Sequence, residues 1–210
     1  LDIKTRTSVA AYHGYNFLLA RESLTDHLPI EQRKSKTRHR LLKIRAKKVI
    51  CATGSIERPL IFDNNDRPGI FLSSAIKKYA DLFGVACGEK NIFLTNNDSA
   101  YETAISLIQK GINVEAVIDN REEVDSKLVY EVEKNNIKVY KGFTVVNTSG
   151  YRRINKVTIM RLSKDGQKVV GSKINLSCDC LGISGGWTPA VHLFTQSGGK
   201  LKFREEDQVF

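Results

Sequence analysis

The chain has 210 residues, 41% hydrophobic and 27% charged with only 4 prolines, a globular composition with room for one domain or two small ones. No apolar run approaches the roughly 20 residues that span a bilayer, and the first residues do not read as a signal peptide, so no membrane role is expected. The formal charge is +10, but nine Lys/Arg against one acid lie in "EQRKSKTRHRLLKIRAKK" (Glu31 to Lys48), leaving the rest near balance.

Aromatics are not interleaved with those charges and no nucleic-acid-binding motif surrounds them. The segment therefore reads as a solvated hairpin or loop, or a dock for an acidic partner, and no nucleic acid is expected. Cys51, Cys87, Cys178 and Cys180 contain no C-x-x-C, which argues against a redox pair or a zinc knuckle and suits a reduced, cytoplasmic protein. Cys178 and Cys180 sit two apart in one strand-like run, so both are expected on the same side, packed in a core. The chain opens on Leu1, in what reads as the middle of a strand, which suggests a segment of a longer polypeptide.

In chain order, Lys4 to Ala11 reads as a strand, "YHGYNF" as a turn, and Phe17 to Arg21 as a second strand. "LLKIRAKKVICATG" begins as a half-buried strand and ends in the continuous apolar run "VICA", with a stop at Gly54. "SIERPLIFDNNDRPGIF" is a connector. "LSSAIKKYADLFG" is a helix capped by Ser73 or Ser74, with Ile76, Tyr79, Ala80 and Phe83 on one face and Gly84 as its stop.

"NIFLTNNDSAYETAISLIQKGINVEAVID" (Asn91 to Asp119) is a strand–turn–helix–strand unit, its helix burying Ala100, Ala104, Leu107 and Ile108. A second helix, "REEVDSKLVYEVEKNN", and the run "IKVYKG" follow. "TVVNTSG", "KVTIMRL" and "KINLSCDCLGIS" then read as strands, with a hairpin at Asp165-Gly166. This order predicts an α/β fold: a Rossmann-like three-layer domain with a β-meander, of the kind found in flavoproteins with two dinucleotide-binding domains.

A working dinucleotide turn is rich in glycine so that backbone can approach the pyrophosphate at a helix N-terminus. Against G-x-G-x-x-[GA] this turn offers Thr95, Asn97 and Ala100, and only Ala100 conforms. Asp98 falls at or beside the N-cap, where a carboxylate satisfies the free N–H groups and repels phosphate. Asp119 lies where a ribose-binding acid would lie, but without glycines it reads as a strand-end polar residue. Asn97, Asp98 and Asp119 thus mark a degenerate site: a fold kept without its ligand.

Three motifs together, "KKVICATGSIERPLIFDNNDRPGIF", "FLTNNDSAYETAISLIQKG" and "LGISGGWTPAVHLFTQSGGKL", resemble the alpha subunits of heterotetrameric sarcosine oxidases, from about Thr5 onward. The resemblance implies a subunit of a flavoprotein that oxidatively demethylates sarcosine to glycine. Oxygen is reduced to hydrogen peroxide, and the one-carbon unit passes to tetrahydrofolate. It implies NAD in the full subunit, FAD and FMN on or near the beta subunit, and beta, gamma and delta subunits as partners. No cofactor is expected in these 210 residues by themselves. Alpha subunits of related amino-acid or opine dehydrogenases share the scaffold, and a noncatalytic binding module is a further alternative.

By this resemblance residues 1–60 are the end of a first FAD/NAD-binding-like domain, with "VICATG" as one of its strands. Residues 61–90 are connector and helix, 91–187 the second Rossmann-like domain, and 188–210 a return. Ala52, Thr53 and Gly54 match an A-T-G beside the bound dinucleotide, or form a plain tight turn. Arg58 would face phosphate or bridge the domains. Gly185, Gly186 and Pro189 match a closing hinge, with Trp187 and His192 near it and no catalytic residue in the window. Apolar surface around Val49 to Ala52 is expected to be exposed and to favour a non-native dimer.

Overall fold

The computed structural model describes residues 2–206 and 208–210. The reading of Leu1 as lying within a strand falls outside them. The chain divides into two compact units, Leu1–Ile56 with Thr188–Phe210, and Glu57–Trp187.

In the first unit β1 (Thr7–His13), β2 (Phe17–Ser23) and β3 (His39–Arg45) form an antiparallel sheet with β2 in the middle. Only Leu18 and Ala20 of these strands are buried. The basic segment is exposed, and its cations find local acids. Arg38 and His39 meet Asp26 at 2.6 and 2.9 Å, and Arg40 meets Glu22 at 2.6 Å. The hydrogen bonds from Arg38 and His39 hold the Asp26 carboxyl far below the usual range.

The run "VICA" is not a strand, contrary to expectation. Residues 46–54 have no ladder, and Ile50 is 91% exposed. β-propensity makes a strand only where a neighbouring strand supplies hydrogen bonds, and no described strand lies beside this segment. β4 (Ser55–Glu57) then carries the chain into the second unit.

That unit starts with β5 (Ile70–Leu72) and α1 (Ser73–Phe83), so the helix read as part of a connector packs within it. β6 (Asn91–Thr95), α2 (Ser99–Gln109), β7 (Val114–Asp119), α3 (Lys127–Lys134) and β8 (Lys138–Lys141) follow. The meander comprises β9 (Phe143–Gly150), β10 (Ile154–Leu162) and β11 (Val169–Ser177), and β12 (Cys180–Ser184) returns to the parallel sheet. The sheet order is β5-β12-β6-β7-β8, all parallel.

Three layers result. Phe93, Val117 and Cys180 turn to the helices and meet Ile76, Ala80, Ala104, Leu107 and Val132. Ile92, Leu94, Ile118, Leu181 and Ile183 turn to the meander and meet Val145, Val157 and Ile159. A parallel strand covered on both faces is apolar throughout, which is why every residue of β6 and β12 is buried.

Cys178 and Cys180 do not share a side. The strand is interrupted at Cys178 and Asp179, and Cys178 packs with the meander while Cys180 packs with the helices. Asp179 causes the break: its carboxylate accepts from the Glu89 and Lys90 N–H groups at 3.0 and 2.8 Å.

α1 also departs from expectation. Ile76 and Ala80 are buried, whereas Tyr79 and Phe83 lie on an exposed side. Its N-terminus is satisfied by Glu57, not by Ser73 or Ser74 capping from within. The Glu57 carboxylate, 4% exposed, accepts from Ser74 N at 2.8 Å and Ser74 Oγ at 2.6 Å. α3 starts at Lys127, later than its sequence pattern suggests, because the Ser126 hydroxyl accepts from Leu128 N at 3.3 Å and fixes the cap there. β13 (Trp187–Pro189) leads the chain out to α4 (His192–Gln196).

Candidate functional site

In an open parallel sheet ligands gather at the carboxyl ends of the strands, here the ends of β12, β6 and β7. Thr95, Asn97, Asp98, Asp119 and Ser184 all stand there.

The turn after β6 is held by its own side chains. Asn97 Oδ1 accepts from Ser99 N at 2.9 Å, so Asn97 satisfies the start of α2, and the Asp98 carboxylate, expected to do so, makes no capping bond because it turns to Arg121. Its Nδ2 donates to Ser184 O and Ser184 Oγ, both at 3.1 Å. Thr95 Oγ1 donates to Asn97 O at 2.7 Å and accepts from Asn97 N at 3.1 Å. Trp187 Nε1 donates to Ser99 Oγ at 2.8 Å. The two places where glycine would leave backbone open to a phosphate thus carry side chains already engaged. Ala100, fully buried, keeps the close approach of helix to sheet.

The acids form a second closed group. Asp119 is fully buried at the end of β7. Arg121 reaches it with Nε to Oδ1 at 3.1 Å and Nη2 to Oδ2 at 2.8 Å, and Arg121 N donates to Oδ1 at 2.9 Å. Tyr101 Oη donates to Oδ2 at 2.8 Å. The same Nη2 meets Asp98 Oδ1 at 2.8 Å. Burial pushes the Asp98 carboxyl upward, but hydrogen bonds from Arg121 and Ser126 and the Arg121 charge together outweigh it and leave Asp98 below its ordinary value. Burial and the Asp119 charge push the Tyr101 hydroxyl well above the usual phenol range. The hydrogen bond to Asp119 raises the already high value of Arg121.

Arg121 and Tyr101 were not singled out in the sequence, although Asp119 and Arg121 two apart at a strand end were a readable signal. Asp119 has no oxygen left for a ribose hydroxyl without displacing one of these donors. The residues present at this turn therefore do not fit a dinucleotide.

Ala52, Thr53 and Gly54 belong to the first unit and Arg58 to the second. In the first unit Thr53 Oγ1 donates to Ala190 O at 2.7 Å, and Ala190 N donates to Gly54 O at 2.9 Å. Gly54 has φ +69°, a left-handed conformation that suits glycine, and a tight turn describes this segment. In the second unit Arg58 N donates to Gly186 O at 2.8 Å, and Gly185 N donates to Arg58 O at 2.7 Å. A Cβ at Gly185 would stand 2.9 Å from Pro59 O, so only glycine permits the two segments to lie this close.

Burial pushes the Cys178 and Cys180 thiols up to about 12, and it raises Cys87 as well. Among the described residues no helix is long and apolar enough to cross a membrane.

No protein-family model matches the chain. It is 36% identical over 205 residues to the sarcosine oxidase alpha subunit of Corynebacterium sp. (strain U-96), which covers 98% of this chain and 21% of that protein. Among solved structures, a FAD-dependent pyridine nucleotide-disulphide oxidoreductase from Desulfovibrio vulgaris superposes with a TM-score of 0.61 at 18% identity, covering 98% of this chain and 52% of that one. The L-proline dehydrogenase from P. horikoshii gives 0.60 at 23% identity, covering 94% and 31%. These two likenesses bear on fold alone. The chain spans about a fifth of the length of the curated relatives it matches. Along its length it is similar to that stretch of sarcosine oxidase alpha subunits, and its fold is the FAD/NAD(P)-binding fold of the solved structures it superposes on.

Proposed function

We propose that the chain acts as structural scaffold within a sarcosine oxidase-like enzyme, and that its second unit has given up nucleotide binding. The observation that carries this reading is the filled turn after β6, with Asn97 bonded to Ser184 and Ser99 and Asp119 closed by Arg121 and Tyr101.

In this reading the whole subunit holds NAD in its other dinucleotide-binding domain. There Ala52, Thr53 and Gly54 offer small residues beside the cofactor and Arg58 faces phosphate or braces the crossing. FAD and FMN, which supply the redox chemistry, sit on or near a beta subunit. The complete assembly, with beta, gamma and delta subunits, oxidatively demethylates sarcosine to glycine, forms hydrogen peroxide, and passes the one-carbon unit to tetrahydrofolate. The four free thiols suit a reducing compartment such as the cytoplasm. The same scaffold admits a second reading, an alpha subunit of a related amino-acid or opine dehydrogenase.

Calorimetric titration of the chain with NAD tests the scaffold reading, and no tight binding is expected. Asn97→Gly alone should create none, because Asp98 and its bond to Arg121 remain. Tight binding lost in Asp98→Ala would reverse the conclusion. Peroxide production by the complete assembly from sarcosine, set against proline, separates the two enzyme readings.

A further inference from the structure

Helix α1 carries two apolar stripes where an ordinary surface helix has one. Ile76 and Ala80 supply the first and are buried. Ala75, Tyr79, Leu82 and Phe83 supply the second, at i, i+4, i+7 and i+8. Tyr79, Leu82 and Phe83 are 44%, 66% and 64% exposed, and Val85, just past the helix, is 48% exposed. The rings of Tyr79 and Phe83 stand 6.0 Å apart. Contiguous apolar surface of this kind on a folded unit marks an interaction site.

The surface is not flat. Tyr79 separates two hollows. One, of about 470 Å³, is bounded by Phe71, Val85, Ala86, Cys87, Arg152 and Arg153. The other, of about 330 Å³, is bounded by Ala75, Lys78 and Phe83. Among the described residues the charged ones in these walls are Lys78, Arg152 and Arg153, and no carboxylate lines either hollow. Arg153 is fixed in place by Asp179 O at 2.8 Å and by Cys87 O, both neutral carbonyls. Of the nearby acids, the Asp179 carboxylate feels the Arg153 charge, which leaves Lys78 and Arg152 as the cations that meet a partner. Asp81 is held by Lys77 and Lys110, and the Asp179 carboxylate by the backbone of Glu89 and Lys90.

We infer that this face docks an acidic amphipathic segment of a partner protein. Two bulky apolar side chains of the segment enter the hollows on either side of Tyr79, and its carboxylates meet Lys78 and Arg152. The charge pattern selects this occupant over a second copy of the chain, since two such cationic faces repel. The two hollows that Tyr79 borders select it over a bilayer, because protruding side chains can enter them. The inference does not depend on which reaction the enzyme carries out.

The test uses a fluorescent helical peptide of about 18 residues with Leu and Phe at i, i+3, i+4 and i+7 and Glu on the flanks. A second peptide carries Lys in place of Glu. The acidic peptide should bind saturably to the chain, and Tyr79→Ala or Arg152→Glu should weaken binding by about tenfold, a loss of ~1.4 kcal/mol. The Lys peptide should bind only after Lys78→Glu and Arg152→Glu are combined. Equal binding of both peptides, no binding of the acidic one, or indifference to Arg152→Glu overturns the inference. So does tighter binding to vesicles of phosphatidylcholine and phosphatidylserine, or a concentration-dependent dimer abolished by Leu82→Asp. Arg152 is exposed and outside the core, so its variant should fold normally.

Discussion

The guanidinium of Arg121 closes on the carboxylate of Asp119 through two hydrogen bonds, Nε to Oδ1 at 3.1 Å and Nη2 to Oδ2 at 2.8 Å. Asp119 is fully buried and Arg121 keeps about a third of its side chain in solvent (33%). The pair therefore locks the end of β7 more than it adds net stability, because desolvating the carboxylate offsets much of the attraction.

Removing one partner is another matter. Arg121→Ala leaves a buried charge with only Tyr101 and one backbone N–H to satisfy it, and should cost about 3 kcal/mol, the low end for such a pair because Arg121 is partly exposed. Asp119→Asn in the same chain should recover part of that loss. Urea unfolding of the two singles and the double measures the coupling, and strict additivity would show that the pair does not act as a unit.

Asp98 gives the cluster a pH dependence. Its folded value lies below the unfolded 3.8, so its contribution is complete above that value and is lost as pH falls through the folded one. Stability should decline below about pH 4, and Asp98→Asn should flatten that limb. Because Asp98 is 43% exposed, the change should be small and should shrink in salt. An acid limb identical in the two proteins would assign the decline to other carboxylates.

Much of the second unit was legible because its signals were local and repeated. β6 is an uninterrupted apolar run, and α2 puts Ala100, Ala104 and Leu107 on one face, so period and length told strand from helix. The degenerate turn was readable too, since Thr95 and Asn97 stand where glycines belong. Long-range partners were not readable. Glu57 reaches the start of α1 from 17 residues upstream, and no spacing rule announces that cap. Arg121 reaching Asp98 across 23 residues was equally hidden. "VICA" misled because apolar character states a preference for burial, while a strand also needs a neighbour.

Glu57 offers a test of that long-range cap. Its carboxylate takes the first-turn N–H of Ser74 and also faces the positive end of the α1 dipole. Glu57→Ala should cost about 1–2 kcal/mol, the range for losing a helix cap. Glu57→Gln keeps an acceptor and should cost less. Hydrogen exchange should quicken at Ser74 and its neighbours in Glu57→Ala, and unchanged protection there would show that the cap does not hold the helix.

The thiols should separate by burial. The thiolate is the reactive form, and burial holds Cys178 and Cys180 in the thiol form at neutral pH. Iodoacetamide on the native chain should label exposed Cys51 first, half-buried Cys87 more slowly, and the other two only on unfolding. Peptide mass mapping over time reads that order. Rapid labelling of Cys180 in native protein would mean that the helix-side core opens easily.

Gly182 sits in the middle of β12, facing the helices between Cys180 and Ser184. A Cβ there would stand 2.5 Å from Phe93 Cδ1 and Cε1 and 3.0 Å from Ile76 Cδ1. Both neighbours are buried, so neither ring nor methyl can swing aside into solvent. Gly182→Ala should therefore cost about 1–3 kcal/mol by overpacking, although alanine is otherwise acceptable in a strand. Phe93→Leu removes the clashing ring edge and should itself be destabilising, through the smaller volume it leaves behind. Combined, the two should cost less than their sum, because each relieves the packing fault of the other. Additive losses in chemical denaturation would mean that the added methyl is accommodated by a shift of β12 rather than resisted by Phe93.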